Sequence, residues 1–221
     1  AAAIRGGEGL KQGDWLVARR QTAGRGRQGR EWFDGAGNFM GSTMVDLRKG
    51  DPPSASLSFV AALSVFGAAR HFLASADKLA VKWPNDVLLA GAKLSGILLE
   101  MVGSQVVVGI GVNLARAPQL ADRATASFAD VVAPPSLEDF ARELAAAFAR
   151  NLEQWRGAGL GRVLETFLTI SHHAPGAPIT VHDTDGTHIT GAFAGLEEAD
   201  GALRLRLADG SERAIRAGDI T

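Results

Sequence analysis

The feature that most restricts the fold is a change in the pattern of apolar and polar residues near His172. From Pro178 onward, short alternations of apolar and polar residues are separated by Asp-Gly pairs at 185–186, 200–201 and 209–210. Asp-Gly pairs between alternating segments are typical of tight turns that join antiparallel strands. The expected strands are Ile179–His182, His188–Phe193, Leu203–Leu207 and Arg213–Ile215. About 45 residues of this kind, at the end of a 221-residue chain, predict a small β-barrel.

The region before it combines helices with strands. Ser136 and Asp139 resemble a helix-capping pair, and the apolar residues that follow recur at steps of three and four, on one face of a long helix. These residues are Leu137, Phe140, Leu144, Phe148, Leu152 and Trp155. Helices are also expected at Ala55–Ala74 and Leu160–Leu168. The expected strands are Trp15–Arg19, Asn38–Asp46, Leu79–Trp83, Val87–Leu89, Lys93–Val102 and Gln105–Asn113.

Together these patterns predict the α+β class and two domains. Residues 1–173 would form a mixed β-sheet with packed helices, and residues 174–221 the small C-terminal β-barrel. Pro and Gly cluster at Ser171–Pro178, so the boundary is expected there.

Composition excludes several classes of protein. The formal net charge is −1, which argues against a protein that coats nucleic acid. The chain has no cysteine, which rules out disulfides, thiolate nucleophiles and cysteine-ligated zinc and fits a reducing cytoplasm. No apolar run reaches the roughly 20 residues that span a bilayer. The first ten residues do not resemble a secretory signal peptide, so we expect a cytoplasmic protein with no membrane partner.

The segment Gln21–Trp32, QTAGRGRQGREW, is the first with a chemical signature. From Arg19 to Arg30 there are five arginines and no acidic residue. Guanidinium groups match phosphate or carboxylate oxygens, and the three interleaved glycines allow close approach to a ligand and positive φ. Arginines alone would equally fit a solvated basic loop, but the glycines favour an anion site.

Residues 24–29 also match the dinucleotide-binding pattern G-x-G-x-x-G. That fingerprint requires a strand that leads through the glycines into a helix. The following REWFDGAGN contains glycines and aromatic residues that do not continue a helix, so we reject this interpretation.

The second segment is Lys82–Glu100, KWPNDVLLAGAKLSGILLE. Lys82 and Lys93 flank a Pro-Asn turn, and a lysine among apolar residues is costly to bury unless an anion meets it. Asn85 and Asp86 add an amide and a carboxylate, although both would also suit a turn. Two lysines, one amide and one carboxylate in this segment favour a site that binds a nucleotide together with a metal ion.

A third segment, Gly109–Asn113, places two glycines at the end of an apolar strand. Glycines there indicate either close approach of a ligand or a β-bulge. The five histidines show neither Ser-His-Asp nor metal-ligand spacing, and His172-His173 fits a surface position, so no protein-bound metal site is predicted.

In this order, the three segments resemble the biotin protein ligase family through its motifs GRGRRGR-W, KWPND…K-x-x-G-I-L-x-E and GIGxN. The resemblance covers about 90 residues, Gln21–Asn113, and the β-region after it resembles the family's SH3-like C-terminal domain. Gln28 stands where the family often has Arg. The family's Ser-Thr-Asn segment, upstream of these motifs, is not in the sequence, and Ala1–Gly9 resembles the tail of the helix that follows it. No helix-turn-helix precedes the motifs, so DNA is not an expected partner.

The resemblance implies a ligase that uses ATP and Mg²⁺ to convert biotin to biotinyl-5′-adenylate. The biotin then passes to a lysine of a biotin carboxyl carrier protein, of acetyl-CoA carboxylase or a related carboxylase. It implies catalytic roles for Lys93 and Arg27, and Asp86 as acceptor of the amine proton. Residues implied to bind biotin are Gln21, Arg25, Gly26, Arg27, Lys93, Gly96 and Gly111. Residues implied to bind ATP or the adenylate are Arg27, Arg30, Trp32, Lys82, Asn85, Asp86 and Asn113.

Two alternatives stay open from the sequence. A lipoate protein ligase is built on a related catalytic fold, although the Gly-Arg and KWPND segments favour biotin. An RNA-binding module could use the arginines and the small barrel, but the chain has no tyrosine and no aromatic stripe on which bases could stack.

Overall fold

Six strands form the central sheet in a computed structural model that describes residues 10–182 and 186–221. The strands are β1 (Trp15–Val17), β2 (Phe39–Asp46), β3 (Leu79–Lys82), β4 (Asp86–Leu89), β5 (Ala92–Val102) and β6 (Gln105–Val112). Their order across the sheet is β1-β2-β6-β5-β4-β3, with antiparallel neighbours throughout. Parallel pairing enters through two isolated bridges, Val81 with Ser171 and Lys93 with Thr125.

Three helices cover one face of this sheet: α1 (Leu57–Phe72), α2 (Leu137–Gly157) and α3 (Gly159–Thr169). The β-strand period of two sends alternate apolar residues, such as Ile97 and Ile110, towards the helices, where they join the core. The cap predicted for α2 is confirmed, since the Ser136 hydroxyl accepts from the backbone N–H of Asp139 at 3.0 Å. Burial of Phe140 through Trp155 on one face confirms the predicted amphipathic helix.

Helix α1 belongs to a segment with the length and composition of a membrane-spanning helix. Among the described residues, Ser54–Phe72 is the one helical segment long and apolar enough to cross a bilayer by length and composition. In the fold, 67% of its most apolar window is buried. Its apolar character is therefore accounted for by the core of the protein.

A second, antiparallel sheet contains β7 (Pro178–His182), β8 (His188–Leu196), β9 (Leu203–Arg206), β10 (Glu212–Ile215) and β11 (Asp219–Ile220). The order across it is β10-β9-β8-β7-β11. Leu203 and Leu205 point into its core, while Arg204 and Arg206 point outwards and both pair with Glu212. The α+β class and the small C-terminal β-domain are thus confirmed.

The turn at residues 200–201 of the second sheet packs against the region that contains the central sheet. Trp83 Nε1 donates to the carbonyl oxygen of Gly201 at 3.1 Å. A Cβ added at Gly201, where φ is +75°, would lie 2.3 Å from Phe59 Cε2 of α1. The glycine is therefore required both by the turn and by the contact.

Several boundaries differ from those predicted. β1 is two residues shorter at its C-terminal end, β8 continues to Leu196, and β11 was not predicted at all. A two-residue strand contains too few positions to produce an alternating pattern. The predicted helix tail Ala1–Gly9 and the turn residue Asp185 lie outside the described residues, and the predicted domain boundary stays a prediction.

Candidate active site

The face of the central sheet away from the helices carries a cleft of about 1120 Å³. Its floor consists of alternate residues of β2, β5 and β6, namely Met40, Ser42, Gly96, Leu98, Gly109 and Gly111. Two segments supply its walls: residues 21–34, here named the Gly-Arg loop, and residues 116–125, here named the β6 loop. All three sequence segments with chemical signatures therefore contribute to one cleft.

The Gly-Arg loop folds back on itself as a narrow hairpin. The backbone N–H of Gly26 donates to Arg30 O at 2.7 Å, and that of Trp32 donates to Gly24 O at 3.0 Å. The tip, residues 28–29, has positive φ at both positions, 58° and 73°. Gly24 and Gly26 do not need positive φ, contrary to the expectation for all three glycines. The chain runs from this hairpin to β2 without an α-helix, which confirms the rejection of a dinucleotide fingerprint.

Two arginines of the loop reach a carboxylate of the C-terminal domain. Arg27 Nη1 lies 3.5 Å from Asp219 Oδ1, and Arg30 Nη2 lies 2.5 Å from Asp219 Oδ2. Arg27 Nη1 also donates to Asn85 Oδ1 at 3.2 Å and to the carbonyl oxygen of Gly218 at 3.3 Å. Burial alone would raise the pKa of Asp219, but the Arg30 hydrogen bond and the nearby arginine charges outweigh it and lower that pKa. Asp219 therefore stays ionised and anchors the loop.

The lysines of the second segment lie on β3 and β5, the two strands that flank β4. Lys93 Nζ is 2.7 Å from Asp86 Oδ1, and both side chains are less than one-fifth exposed. Burial lowers the pKa of Lys82, and the charges of Lys93 and Arg123 add to that effect, while Asp86 opposes it. Lys82 has no carboxylate within 4 Å in the described part of the chain. A half-buried ammonium of this kind is suited to receive an anion.

Trp32 lies against two glycines of the floor, Gly96 and Gly111. A Cβ added at Gly111 would lie 2.2 Å from Trp32 Cε2, and one added at Gly96 would lie 2.9 Å from Trp32 Cζ3. The pairing of β6 with its neighbours shows no register shift at residues 109–111, which excludes the β-bulge interpretation of these glycines. Trp32 Nε1 is buried without a hydrogen-bond partner. In this structure the glycines accommodate the protein's own indole.

Asn113 is buried at the start of the β6 loop, and its amide is engaged by the backbone. Its Nδ2 donates to Ala126 O at 3.1 Å. The neighbouring Asn38 accepts the N–H groups of Ala115 and Arg116, each at 3.0 Å, through Oδ1. These two side chains fix the direction in which the β6 loop leaves the sheet.

Most of the residues implied by the resemblance line the cleft: Gln21, Arg25, Gly26, Arg27, Arg30, Trp32, Asn85, Lys93, Gly96, Gly111 and Asn113. Lys82 and Asp86 do not line it, and Asp86 instead contacts Lys93. Asp219 and Arg123 also line the cleft, and neither was predicted from the sequence. Neither had a detectable signal, because Asp219 lies in a two-residue strand and Arg123 in a segment predicted only as loop.

Comparisons with known proteins agree with this arrangement. Residues 7–114 match the model of the biotin/lipoate A/B protein ligase family, and residues 176–221 match the biotin protein ligase C-terminal domain. A biotin–[acetyl-CoA-carboxylase] ligase of Paracoccus denitrificans is 41% identical, over 93% of this chain and 89% of that protein. The bifunctional ligase/repressor BirA of Escherichia coli is 42% identical over 112 residues, which cover 48% of this chain and 34% of BirA.

Solved structures extend the similarity to the whole fold. Biotin protein ligase from Aquifex aeolicus, in complex with biotin and ATP, has a TM-score of 0.83 and 25% identity, covering 96% of this chain and 89% of that one. The Leishmania major enzyme in complex with biotinyl-5-AMP has a TM-score of 0.66 and 25% identity, covering 97% and 92%. The chain therefore belongs to the biotin/lipoate A/B protein ligase family, in its biotin protein ligase branch.

Proposed function

We propose that the chain uses ATP to convert biotin to biotinyl-5′-adenylate and transfers the biotin to a lysine of a biotin carboxyl carrier domain. The observation that carries this proposal is a cleft lined by three cations, Arg27, Arg30 and Lys93. Relatives in the same branch bind biotin, ATP and biotinyl-AMP in solved structures. The cytoplasm is the compartment that we propose for this activity.

In the first step, an oxygen of the biotin carboxylate attacks the α-phosphorus of ATP. The bond from that phosphorus to the bridging oxygen breaks, and pyrophosphate leaves with the electron pair. The attacking carboxylate is ionised at neutral pH, so this step requires no general base. It requires two anions to be held together while charge shifts to the leaving group, which positioned cations achieve.

We assign Lys93 to the junction of the carboxylate and the α-phosphate, because its ammonium lines the cleft beside the floor glycines. Arg27 would close over the adenylate. On the biotin side we place Gln21, Arg25, Gly26, Gly96 and Gly111, and on the nucleotide side Arg30, Trp32, Lys82, Asn85, Asp86 and Asn113. Since Trp32 covers Gly96 and Gly111, the indole must move when a ligand occupies that part of the floor.

Mg²⁺ fits this site as a partner of the nucleotide phosphates. In the described residues no group of three or more His, Cys, Asp and Glu side chains could hold a metal ion. Mg²⁺ commonly needs only one or two carboxylates, since phosphates and water complete its coordination. Asp86, next to Lys93, would provide the carboxylate. When bound, the ion would neutralise phosphate charge.

In the second step, the amine of the carrier lysine attacks the acyl carbon of the adenylate, and AMP leaves with the acyl–phosphate oxygen. The amine must lose a proton, and we propose Asp86 as the acceptor. The carrier that we propose belongs to acetyl-CoA carboxylase, as the name of the Paracoccus relative suggests. The match to the biotin protein ligase C-terminal domain favours biotin over lipoate.

Mass spectrometry tests this function directly. The chain is incubated with Mg-ATP, an apo carrier domain and either biotin or lipoate. We expect the carrier to gain one biotinyl group at its acceptor lysine, and no lipoyl group. An unmodified carrier with biotin, or equal modification with lipoate, would contradict the proposal.

A further inference from the structure

Arg123 lies in the β6 loop, and hydrogen bonds fix this loop at both of its ends. At its far end, the backbone N–H of Lys93 donates to Ala124 O at 2.9 Å, and the N–H of Ala126 donates to Lys93 O at 2.9 Å. At its near end the loop is fixed by Asn38. The position of Arg123 is therefore coupled directly to the strand that carries Lys93.

The side chain of Arg123 is only 29% exposed, although its partner is a surface residue. Its guanidinium contacts the carboxylate of Asp122, which is 62% exposed and belongs to the same loop. An ion pair with so exposed a partner contributes little net free energy, because water and salt screen it. An incoming polyanion can therefore compete for the guanidinium.

The surroundings of Arg123 carry an excess of positive charge. Arg123 interacts electrostatically with Asp219 and Asp86, and it repels Lys82. The cations of this group are Arg27, Arg30, Lys82, Lys93 and Arg123, and its carboxylates are Asp86, Asp122 and Asp219. Within this group, five cations face three carboxylates, an excess of two positive charges. The phosphate chain of a nucleotide would balance this excess.

We propose that Arg123 is a binding residue for the β- and γ-phosphates of ATP and for the pyrophosphate that departs. This inference rests on the proposed function, in which the bond from the α-phosphorus breaks and pyrophosphate takes the electron pair. Arg123 lines the cleft together with Arg30 and Asp219, and its charge interacts with those of Lys82 and Asp86, which we place on the nucleotide side. Its planar fork can donate two hydrogen bonds to phosphate oxygens where Asp122 now accepts.

The test compares wild type with Arg123→Gln by calorimetric titration with Mg-ATP and with pyrophosphate. Loss of a charge-assisted hydrogen-bond donor should weaken both affinities about 10- to 100-fold. Biotin affinity should change less than about twofold. Transfer from preformed biotinyl-adenylate to the carrier should keep its rate, because that intermediate contains no β- or γ-phosphate.

Two variants serve as controls. Arg116→Gln removes the same charge from the same loop, at an exposed position that does not line the cleft, and should leave both affinities unchanged. Arg123→Lys keeps the charge but not the fork, and should recover part of the affinity.

Unchanged binding of pyrophosphate by Arg123→Gln would overturn the inference, as would an equal loss in transfer from the preformed adenylate. Weaker phosphate binding only in the Arg123 variants would support it. A wild-type chain that binds pyrophosphate but never modifies the carrier would instead refute the proposed function, while the calorimetry would still decide the role of Arg123.

Discussion

Trp32 shows how a glycine pattern can predict close approach without predicting the partner. Gly109 and Gly111 of the third segment were expected to adjoin a ligand or a bulge, and the structure places the indole of Trp32 against Gly111. The glycines predicted room for another group beside the strand, because glycine in a strand has no side chain to pack there. The sequence could not reveal the occupant, since Trp32 and Gly111 are 79 positions apart and meet only through the fold.

We expect Gly111→Ala to displace the indole, because its Cβ would lie 2.2 Å from Trp32 Cε2. Overpacking of this kind typically costs about 1–3 kcal/mol. Tryptophan emission should shift to longer wavelength as the ring becomes hydrated. Gly109→Ala is the matched control, because the nearest atom to its Cβ would be Leu98 O at 3.5 Å. The same emission shift in both variants would contradict the packing seen here.

Lys93 is the side chain on which the first step depends most. Lys93→Ala should lower the rate of biotinyl-adenylate formation roughly 10²–10³-fold, since it removes a cation placed where charge develops. Pyrophosphate exchange measures this rate. Because the variant also leaves Asp86 without its partner at 2.7 Å, a circular dichroism spectrum must confirm that the fold is retained. Near-normal exchange in a folded variant would exclude the assigned role.

Secondary-structure elements were predicted best where their patterns were long. The helices α1, α2 and α3 and the hairpin of β5 and β6 lie within two residues of their predicted positions. The Gly-Arg loop was recognised by composition, but its hairpin shape was not. That shape depends on positive φ at Gln28, a residue type that gives no such signal.

The Gly-Arg loop is tethered at its tip by Arg27 and Arg30 to Asp219. We expect Arg27→Gly still to form biotinyl-adenylate but to release it, because the loop loses its contacts with Asn85 and Gly218 and its charge towards the adenylate phosphate. The released anhydride would acylate nearby amines. Biotin blotting of an added bystander protein should therefore show more label per pyrophosphate released than with wild type.

Arg19→Gly, just before the Gly-Arg loop, is the control, because the Arg19 side chain is 86% exposed and its carboxylate partner lies outside the cleft. It should label the carrier alone. If Arg27→Gly also labels only the carrier, the loop does not retain the intermediate.

The two sheets meet through contacts that no local pattern could predict. Trp83, next to the central sheet, donates a hydrogen bond to Gly201 of the second sheet, and Asp219 in the last strand pairs with the loop arginines. The sequence identified each sheet separately, because alternation and turn residues are local features. Such local features do not predict how the two sheets pack against each other. The C-terminal domain therefore contributes a residue, Asp219, to the candidate active site.

His173 lies at this junction, and we expect it to make the stability of the junction depend on pH. Its ring lies 6.5 Å from that of Phe193 in the second sheet and 4.9 Å from that of His172. Burial, then the charges of His172 and Lys82, lower the pKa of His173 from 6.5 to about 4. In the unfolded chain the pKa returns to its ordinary value, so between pH 6.5 and 4 the unfolded state binds more protons. Stability should therefore fall as the pH decreases through that window.

We expect His173→Gln to reduce this loss of stability. Glutamine keeps a polar side chain but cannot be protonated, so the free energy of unfolding should decrease less between pH 7 and pH 5 than in wild type. The difference should be on the order of 1 kcal/mol, because the ring is partly exposed and solvent screens its charge. Urea unfolding at both pH values measures it. His71→Gln, an exposed histidine on α1, should retain the wild-type pH dependence. Equal slopes for wild type and His173→Gln would mean that His173 is as accessible to protons in the folded protein as in the unfolded chain, and the pH sensitivity of the junction would then need another group.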